Sequence, residues 1–295
     1  MTELPRITQE MINLYDEFTH KTNDRADFMH RLTELVGTSE AAQAIAAMIG
    51  ASASAAGIVP ENDSRLQTQN VTLADEMAGY LVWPANASGK LPAVMVVHEN
   101  RGLVPHIKDV ARRLALEGFL VLAPDFLAPL GGTPEDEDKG RDMIGKLEAP
   151  KVTANAVAAV RWLKSHEKSN GKVGAVGFCA GGEMVNQLAT ASTEVDAIVA
   201  YYGRSPAADK VPAIKAPLLE HYAENDQGVN GTVPAFKEAL EKNNKKFTMH
   251  TYPGTQHAFN NDTGGARYNK EQADIAWGRT LAFLKENLGA PPKAS

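Results

Sequence analysis

The sequence has a single cysteine, no long apolar stretch and no excess of positive charge. One cysteine in 295 residues excludes an internal disulfide framework and a cysteine-rich zinc site. It also suits a reducing compartment, because a reactive thiol would otherwise be oxidised, and we therefore expect the protein in the cytoplasm. No run reaches the roughly 18 strongly apolar residues of a membrane-spanning helix, so we expect no membrane partner.

Charge and motif content narrow the function classes further. Thirty Lys and Arg residues against 36 Asp and Glu residues give a formal net charge of −6, which argues against a nucleic-acid partner. The eight histidines show no His-x-x-x-His spacing, and no glycine-rich loop has the pattern of a phosphate site. We therefore expect neither a metal nor a cofactor.

The one cysteine lies in the most informative segment of the chain. Residues 173–182 predict a buried strand that runs into Gly177-Phe178-Cys179-Ala180-Gly181 and then into a helix. Gly-x-Cys-x-Gly in this context is typical of the nucleophile elbow of an α/β-hydrolase, with cysteine in place of serine. The sharp turn needs tiny flanking residues, and the helix N-terminus favours the thiolate. The alternative is a small buried cysteine that acts only as a core residue.

A nucleophile needs a base, and the base needs a group that orients it. His257 follows an alternating strand at 247–252, and Asp226 follows a predicted strand at 217–222, which is the chain order of an α/β-hydrolase triad. Glu224 lies in the same loop as Asp226 and is the alternative acid. His257 could instead be an ordinary hydrogen-bonded loop histidine.

The loop after the apolar run 91–97 gives an independent signal. The run predicts a strand buried on both faces, and the loop after such a strand supplies one oxyanion-hole amide in α/β-hydrolases. The residue after the nucleophile supplies the other, so we expect the backbone N–H groups of Asn100 and Ala180 in this role. Glu99 would lie near the sulfur, where it could take or hold the thiol proton. The alternative is a solvent-exposed loop glutamate.

Taken in order, these motifs resemble the dienelactone hydrolase family over roughly residues 70–288. The matching positions are His98-Glu99-x-x-Gly102, Asp109, Arg113, Leu114, Gly118-Phe119, Ala123-Pro124-Asp125, Gly171-Lys172-Val173-Gly174, Gly177-Phe178-Cys179-x-Gly181-Gly182, Tyr202-Gly203, Asp226 and His257-x-Phe259. The resemblance implies an α/β-hydrolase fold and hydrolysis of lactones or esters by a Cys179–His257–Asp226 triad. It also implies that Glu99 interacts with the thiol before substrate binds and helps to form the thiolate.

Two departures from the family pattern concern the substrate. The best-known members hold the carboxylate of dienelactone with two arginines, and the matched positions here are Pro129 and Asn261. Both bidentate clamps are therefore missing at these positions. Other residues could contact the substrate instead, and the candidates are Arg101, Arg141, Arg204, Arg267, Phe178 and Tyr202.

The chain divides into a helical N-terminal extension (residues 1–65), a hydrolase domain (66–290) and a short tail (291–295). From about residue 70, strands near 91–98, 118–123, 172–178, 196–202, 216–222 and 247–252 alternate with helices, which indicates a mainly parallel sheet with helices on both faces. An antiparallel edge pair is expected around Asp75. Residues 129–150 are expected to form a polar loop that is either simply solvated or shades the site.

The N-terminal extension shows the periodicity of helices. Met11, Leu14, Tyr15 and Phe18 recur at spacings of three and four, and such helices could pair subunits in a homo-oligomer. The Ala-rich end of the segment, residues 51–55, resembles a signal peptidase site, which would mean export to the periplasm. Only one arginine, Arg25, stands where an export signal of this class requires a pair, so we favour a retained extension.

The motifs therefore predict a hydrolase, and the resemblance to the dienelactone hydrolase family implies carboxymethylenebutenolidase-type chemistry. It would cleave a small ester or lactone through a Cys-His-Asp triad and a thioester intermediate. The alternative is a hydrolase fold used for ligand binding or as a scaffold, without turnover.

Overall fold

The computed structural model describes residues 6–50, 57–74 and 76–290, and an eight-stranded sheet lies at the centre of this part of the chain. Its strands in chain order are β1 (Leu66–Thr72), β2 (Ala78–Pro84), β3 (Leu91–Val97), β4 (Leu120–Asp125), β5 (Ser169–Phe178), β6 (Ala197–Tyr201), β7 (Leu218–Asn225) and β8 (Phe247–Gln256). In space the order is β1-β2-β4-β3-β5-β6-β7-β8. The strand β2 is antiparallel to its neighbours β1 and β4. All neighbouring pairs in the rest of this spatial order, β4-β3-β5-β6-β7-β8, are parallel. The predicted antiparallel edge pair and mainly parallel sheet are confirmed.

Helices flank the sheet on both faces. In chain order they are α1 (Gln9–Glu17), α2 (Arg25–Val36), α3 (Ser39–Ile49), α4 (Pro105–Leu116), α5 (Glu137–Ile144), α6 (Ala149–Ser165), α7 (Ala180–Ala191), α8 (Gln227–Asn230), α9 (Val233–Lys242) and α10 (Lys270–Leu288). One core cluster joins α4 and α10 to the sheet, and a second joins α6, α7 and α9 to its other face. All seven residues of β3 are buried, as its continuous apolar run predicts.

The segment 129–150 corrects a prediction, because it contains the helix α5 rather than only a polar loop. Asp136 begins this helix, and its side chain accepts hydrogen bonds from the backbone N–H groups of Asp138 and Lys139. Two acidic residues in the first turn, Glu137 and Asp138, complement the positive end of the helix dipole. The charge run that suggested a solvated loop is therefore the start of a helix that brings Arg141 toward the sheet edge.

The first three helices form a unit that we call the N-terminal cap (residues 9–49). Thr8, Asp24 and Thr38 cap the helices α1, α2 and α3 with side-chain oxygens. Between α1 and α2 the chain makes one π-helical turn, Phe18–Thr22, which ends at Asn23 with a left-handed backbone (φ 49°). A separate core cluster holds the cap together, and its buried members are Met11, Ile12, Leu14, Tyr15, Phe18, Phe28, Leu32, Ala42, Ile45 and Ile49.

The apolar face that suggested subunit pairing is thus buried within the chain, and the pairing itself stays a prediction. Among the described residues, no helix is both long and apolar enough to cross a membrane. The alanine-rich segment 51–55, Asp75 and the tail 291–295 lie outside the described residues.

Candidate active site

The cysteine lies in a sharp turn between β5 and α7, at the carboxyl edge of the sheet. Its backbone has φ 56° and ψ −118°, a conformation that non-glycine residues adopt rarely and at some energetic cost. The chain packs tightly on both sides of this turn, because a Cβ atom added at Gly177 would collide with the carbonyl of Gly181. A Cβ at Gly181 would in turn meet the carbonyl oxygens of Val97 and His98. The glycines flanking Cys179 are therefore required by close backbone approach, as an elbow demands.

His257 and Asp226 form a tight pair beside the elbow. His257 Nδ1 lies 2.6 Å from Asp226 Oδ2, and both side chains are less than a tenth exposed. Burial alone would lower the pKa of His257, but the charges of Asp226 and Cys179 outweigh it and raise the pKa well above its usual value. Burial would raise the pKa of Asp226, yet the neighbouring His257 lowers it. The pair therefore consists of an ionised carboxylate and an imidazole that holds its proton strongly.

The alternative acid, Glu224, lies apart from this pair. Its carboxylate accepts a hydrogen bond of 2.7 Å from the backbone N–H of Gly254, and the residue is exposed. Asp226 also begins the short helix α8, where its side chain accepts from the N–H of Val229 at 3.3 Å. The geometry thus places Asp226, and not Glu224, against the histidine.

A second histidine reaches the sulfur from the N-terminal cap. His20, in the π-helical turn, has its Nε2 atom 3.2 Å from Cys179 Sγ. The rings of His20 and His257 are 4.5 Å apart, edge to face, and a ring nitrogen of each lies with the sulfur in a group that spans at most 4.8 Å. Within the described part of the chain, this is the one group of three with the spacing of metal ligands. A sulfur between two imidazoles is equally suited to proton transfer.

The two histidines determine the state of the thiol. Burial alone would raise the pKa of Cys179, but His20 and His257 together lower it to about 6. The N-terminus of α7, which begins at Ala180, adds partial positive charge at the same point. At neutral pH the sulfur is therefore largely a thiolate, the nucleophilic form.

Glu99 is expected to interact with the sulfur, but its hydrogen bonds go to other side chains. Its carboxylate accepts a bond of 2.7 Å from Arg101 Nη2 and bonds of 3.2 and 3.4 Å from Asn261 Nδ2. Burial would raise its pKa, but Arg101, His106 and Arg267 lower the pKa to about 2. Glu99 lines the pocket beside Cys179 as a firmly ionised carboxylate, and its hydrogen bonds go to Arg101 and Asn261.

Of the two expected oxyanion donors, Asn100 lines the same pocket, and Ala180 directly follows Cys179 in the chain. Ala180 is the first residue of α7, and its N–H is one of the first-turn amides that have no acceptor within their own helix. Asn100 lines the pocket in the loop after β3. The side-chain amide of Asn100 donates a 2.7 Å hydrogen bond to the backbone carbonyl of Thr19, which ties this loop to the cap.

Three of the four candidate arginines line the pocket, and each is already engaged. Arg101 pairs with Glu99 and Glu137, and Arg141 pairs with Asp138. The guanidinium of Arg267 pairs with Asp16 at 3.3 Å in the cap and lies 4.9 Å from the ring centre of Tyr15. The pocket residues are Tyr15, Thr19, His20, Glu99, Asn100, Arg101, Arg141, Cys179, His257, Ala258 and Arg267.

Arg204 lies apart from the other three candidate arginines, and its contact with the substrate stays a prediction. It is exposed and is not among the residues that line the pocket beside Cys179.

Of the two aromatic candidates, Tyr202 packs against the ring of His257, and Phe178 packs behind it against Tyr201 and Tyr202. Tyr202, with a left-handed backbone (φ 39°), lies 5.0 Å from the ring of His257, and Phe178 stacks on Tyr201 at 4.8 Å. Both are almost fully buried, at about 1 % exposure. Neither is among the residues that line the pocket beside Cys179, and their contact with the substrate stays a prediction.

The free volume beside the sulfur is small. It amounts to about 20 Å³, which is room for about one water molecule. Tyr15, Thr19 and His20 of the cap close the pocket on one side. Sequence reasoning did not find these residues, because the contact between His20 and Cys179 spans 159 positions of the chain. The local pattern marks Tyr15 only as part of an apolar helix face.

Known proteins resemble this chain over most of the sheet-bearing part. The model of the dienelactone hydrolase family matches residues 77–288. A protein of Saccharolobus solfataricus, provisionally named carboxymethylenebutenolidase, is 31 % identical over 248 residues, which cover 71 % of this chain and 94 % of that protein. A protein of Escherichia coli K12 with the same provisional name is 31 % identical over 229 residues, covering 73 % and 84 %.

Solved structures give the same picture. The crystal structure of a protein from Klebsiella pneumoniae, provisionally described as a dienelactone hydrolase, has a TM-score of 0.67 and 29 % identity. The match covers 75 % of this chain and 99 % of that one. The fold is thus that of dienelactone hydrolases and of the wider α/β-hydrolases, as the sequence predicts.

Proposed function

This chain belongs to the dienelactone hydrolase family, and on that premise we propose that it cleaves a small carboxylic ester or lactone through a thioester on Cys179. The observation that carries the proposal is the constellation of Cys179 on a strained elbow, with its thiol pKa lowered to about 6, beside the buried His257–Asp226 pair. A nucleophile, a base and an orienting acid at this spacing are the parts of covalent acyl transfer.

In the first half of the reaction the Cys179 thiolate attacks the carbonyl carbon of the substrate. The negative charge that develops on the carbonyl oxygen is held by the backbone N–H groups of Asn100 and Ala180. His257 donates its Nε2 proton to the departing alkoxide, and Asp226 stabilises the imidazole at Nδ1. The alcohol leaves, or the lactone ring opens, and a thioester remains on Cys179.

In the second half His257 acts as a base. It takes a proton from a water molecule, and the resulting hydroxide attacks the thioester carbonyl in the same oxyanion hole. Collapse of this intermediate breaks the C–S bond, which releases the carboxylic acid and restores the thiolate. Cysteine is a good nucleophile for activated acyl groups, so esters and lactones suit this site better than peptides.

The pocket also bears on the class of substrate. At the two positions where well-known family members carry carboxylate-binding arginines, this chain has Pro129 and Asn261, and Asn261 donates to Glu99 instead. The arginines that do line the pocket are neutralised by acidic neighbours. We therefore propose a substrate without a free carboxylate near the reacting carbonyl.

The test is turnover of p-nitrophenyl acetate, a simple γ-lactone and dienelactone by the wild type and by Cys179→Ala. We expect Cys179-dependent turnover of the first two, and weaker turnover of the carboxylated dienelactone. Circular dichroism and thermal melting of the variant check that it is folded. Undiminished turnover by the folded variant would contradict the nucleophile assignment. A folded wild type without turnover would favour a binding or scaffold role.

A further inference from the structure

The N-terminal cap presents His20 to the sulfur in a defined orientation. Its Nδ1 atom lies 2.9 Å from the backbone carbonyl oxygen of Asp16 and 3.0 Å from the hydroxyl oxygen of Thr19. The Thr19 hydroxyl is itself 3.0 Å from the carbonyl oxygen of Tyr15, to which it donates. Both neighbours of Nδ1 therefore act as acceptors.

This environment determines the tautomer of His20. A backbone carbonyl oxygen can only accept a hydrogen bond, so Nδ1 carries the hydrogen and donates it to Asp16. In the neutral ring, Nε2 then has the lone pair, and it is this atom that lies 3.2 Å from Cys179 Sγ. His257 shows the same arrangement, because its Nδ1 is held by Asp226 and its Nε2 is left for the reacting groups.

We propose that His20, carried by the N-terminal cap, is a catalytic residue that takes the proton of Cys179 in the free enzyme. The S–H bond breaks, an N–H bond forms at His20 Nε2, and the electron pair stays on sulfur as the thiolate. This inference rests on the proposed function, in which Cys179 is the nucleophile. It assigns to the cap the thiol activation that the family resemblance implies for Glu99.

The contacts of the other candidate bases support this division of roles. Glu99 is ionised and bonded to Arg101 and Asn261, so it is a weak base with its acceptor oxygens already engaged. His257 is paired with Asp226, and the reaction needs its proton for the departing alkoxide. His20 is the remaining base that contacts the sulfur among the described residues, and it is exposed, so that it can exchange its proton with solvent.

The position of His20 is built by contacts on both sides of it. Thr19 accepts from the side chain of Asn100 at 2.7 Å, and Asp16 pairs with Arg267 at 3.3 Å. His20 lies in a single π-helical turn, a local distortion that often occurs at functional sites. The cap therefore reaches the sulfur by specific polar contacts with the loops of the hydrolase domain, and not by apolar packing alone.

The small free volume indicates when His20 acts. Room for about one water molecule beside the sulfur is less than an ester needs, so the contact between His20 and Cys179 describes the enzyme before substrate binds. His20 thus prepares the thiolate before substrate enters, whereas His257 and Asp226 serve the acyl-transfer steps that follow.

The test is the pH dependence of Cys179 alkylation by iodoacetamide in wild type, His20→Gln and the matched control His30→Gln. Glutamine can form a hydrogen bond at position 20 but cannot take the proton. His30 lies in the same cap on the exposed face of α2, where its contact is Glu34. The charged and titratable groups that line the pocket and stay unchanged are Tyr15, Glu99, Arg101, Arg141, His257 and Arg267.

We expect a midpoint near the thiol pKa of about 6 in the wild type and in His30→Gln. In His20→Gln the midpoint should rise by about one pH unit or more. At the wild-type midpoint, alkylation relative to each variant's own plateau should then slow about fivefold or more. The plateau reports access to the sulfur and the midpoint reports its protonation, so opening of the cap does not mimic the effect.

An unchanged midpoint in folded His20→Gln would overturn the inference. So would a wild-type midpoint near that of an ordinary cysteine. Alkylation needs no turnover, and the proposed function is tested separately by Cys179→Ala. A failed esterase assay and a failed thiol titration are therefore distinct results.

Discussion

Replacing Asp226 with asparagine isolates the charge of the triad acid. Asp226 has two roles, as a helix cap and as the charged partner of His257, and asparagine keeps the first role but loses the second. As the N-cap residue of α8, Asp226 accepts from the N–H of Val229, and asparagine is an equally good helix cap. As the partner of His257 it accepts from Nδ1 at 2.6 Å, and only there does the negative charge matter. Asp226→Asn should therefore fold normally.

The size of the effect follows from the burial and length of that bond. A charge-assisted hydrogen bond contributes about 1.5–3 kcal/mol. Loss of that amount from the transition state lowers kcat/KM by about 10-fold to 150-fold. The asparagine amide can also present its NH₂ group to Nδ1 and so favour the wrong imidazole tautomer. In the equivalent serine-protease variant this effect lowers kcat by about 10⁴-fold. For Asp226→Asn we therefore expect kcat/KM to fall by at least about 10-fold and by no more than about 10⁴-fold.

The assay is kcat/KM for p-nitrophenyl acetate from about pH 5 to pH 9, with Glu224→Gln as the matched control. Because Glu224 accepts from the N–H of Gly254 and not from His257, its variant should stay within about twofold of the wild type. The charge of Asp226 raises the pKa of His257, so the pH profile of Asp226→Asn should also show a histidine that loses its proton at lower pH. Equal losses in the two variants, or a larger loss in Glu224→Gln, would refute the assignment.

Two further predictions concern stability and the elbow. Burial raises the pKa of Glu220 to about 8, although Asn186 and Tyr222 donate to it, while an unfolded glutamate titrates near 4.3. The folded chain thus keeps a proton that the unfolded chain releases, and Glu220 costs stability progressively as pH rises from about 4.3 to about 8. As pH rises through that window, the melting temperature of Glu220→Gln should increase relative to that of the wild type, whereas that of the exposed Glu238→Gln should not. The same pH dependence of the melting temperature in the wild type and in both variants would contradict a buried, protonated Glu220. An added methyl at Gly177 collides with the backbone of Gly181, so Gly177→Ala should lose about 1–3 kcal/mol of stability or more together with activity, while Gly228→Ala, which meets nothing within 4 Å, should lose neither.

Much of the fold could be predicted from the sequence because its signals are local. The apolar run of β3, the Gly-x-Cys-x-Gly turn and the loops that follow β7 and β8 carry periodicity or turn residues that short-range physics determines. Since parallel strands end at one edge, these loops had to meet, and Cys179, Asp226 and His257 do converge there. Their catalytic roles rest on the predictions above.

The remaining features depend on contacts between distant parts of the chain. His20 reaches Cys179 across 159 positions, and nothing in its neighbourhood distinguishes it from a surface histidine. Glu99 is turned to Arg101 and Asn261 by a buried ion pair whose members no periodicity links. The helix α5 differs from the predicted loop for another reason. Its acidic first turn has the composition of a solvated charge run, but Asp136 caps the helix and the two acidic residues after it complement the helix dipole.

The most direct test of the central claim is intact-protein and peptide mass spectrometry after rapid acid quenching of the enzyme with p-nitrophenyl acetate. The account predicts a transient acetyl group on the peptide that contains Cys179, formed at least as fast as steady-state turnover. It predicts further that slower deacylation in Asp226→Asn makes this species accumulate. Continued turnover without acetyl-Cys179, or an acetyl group that forms at another residue at the rate of turnover, would contradict it.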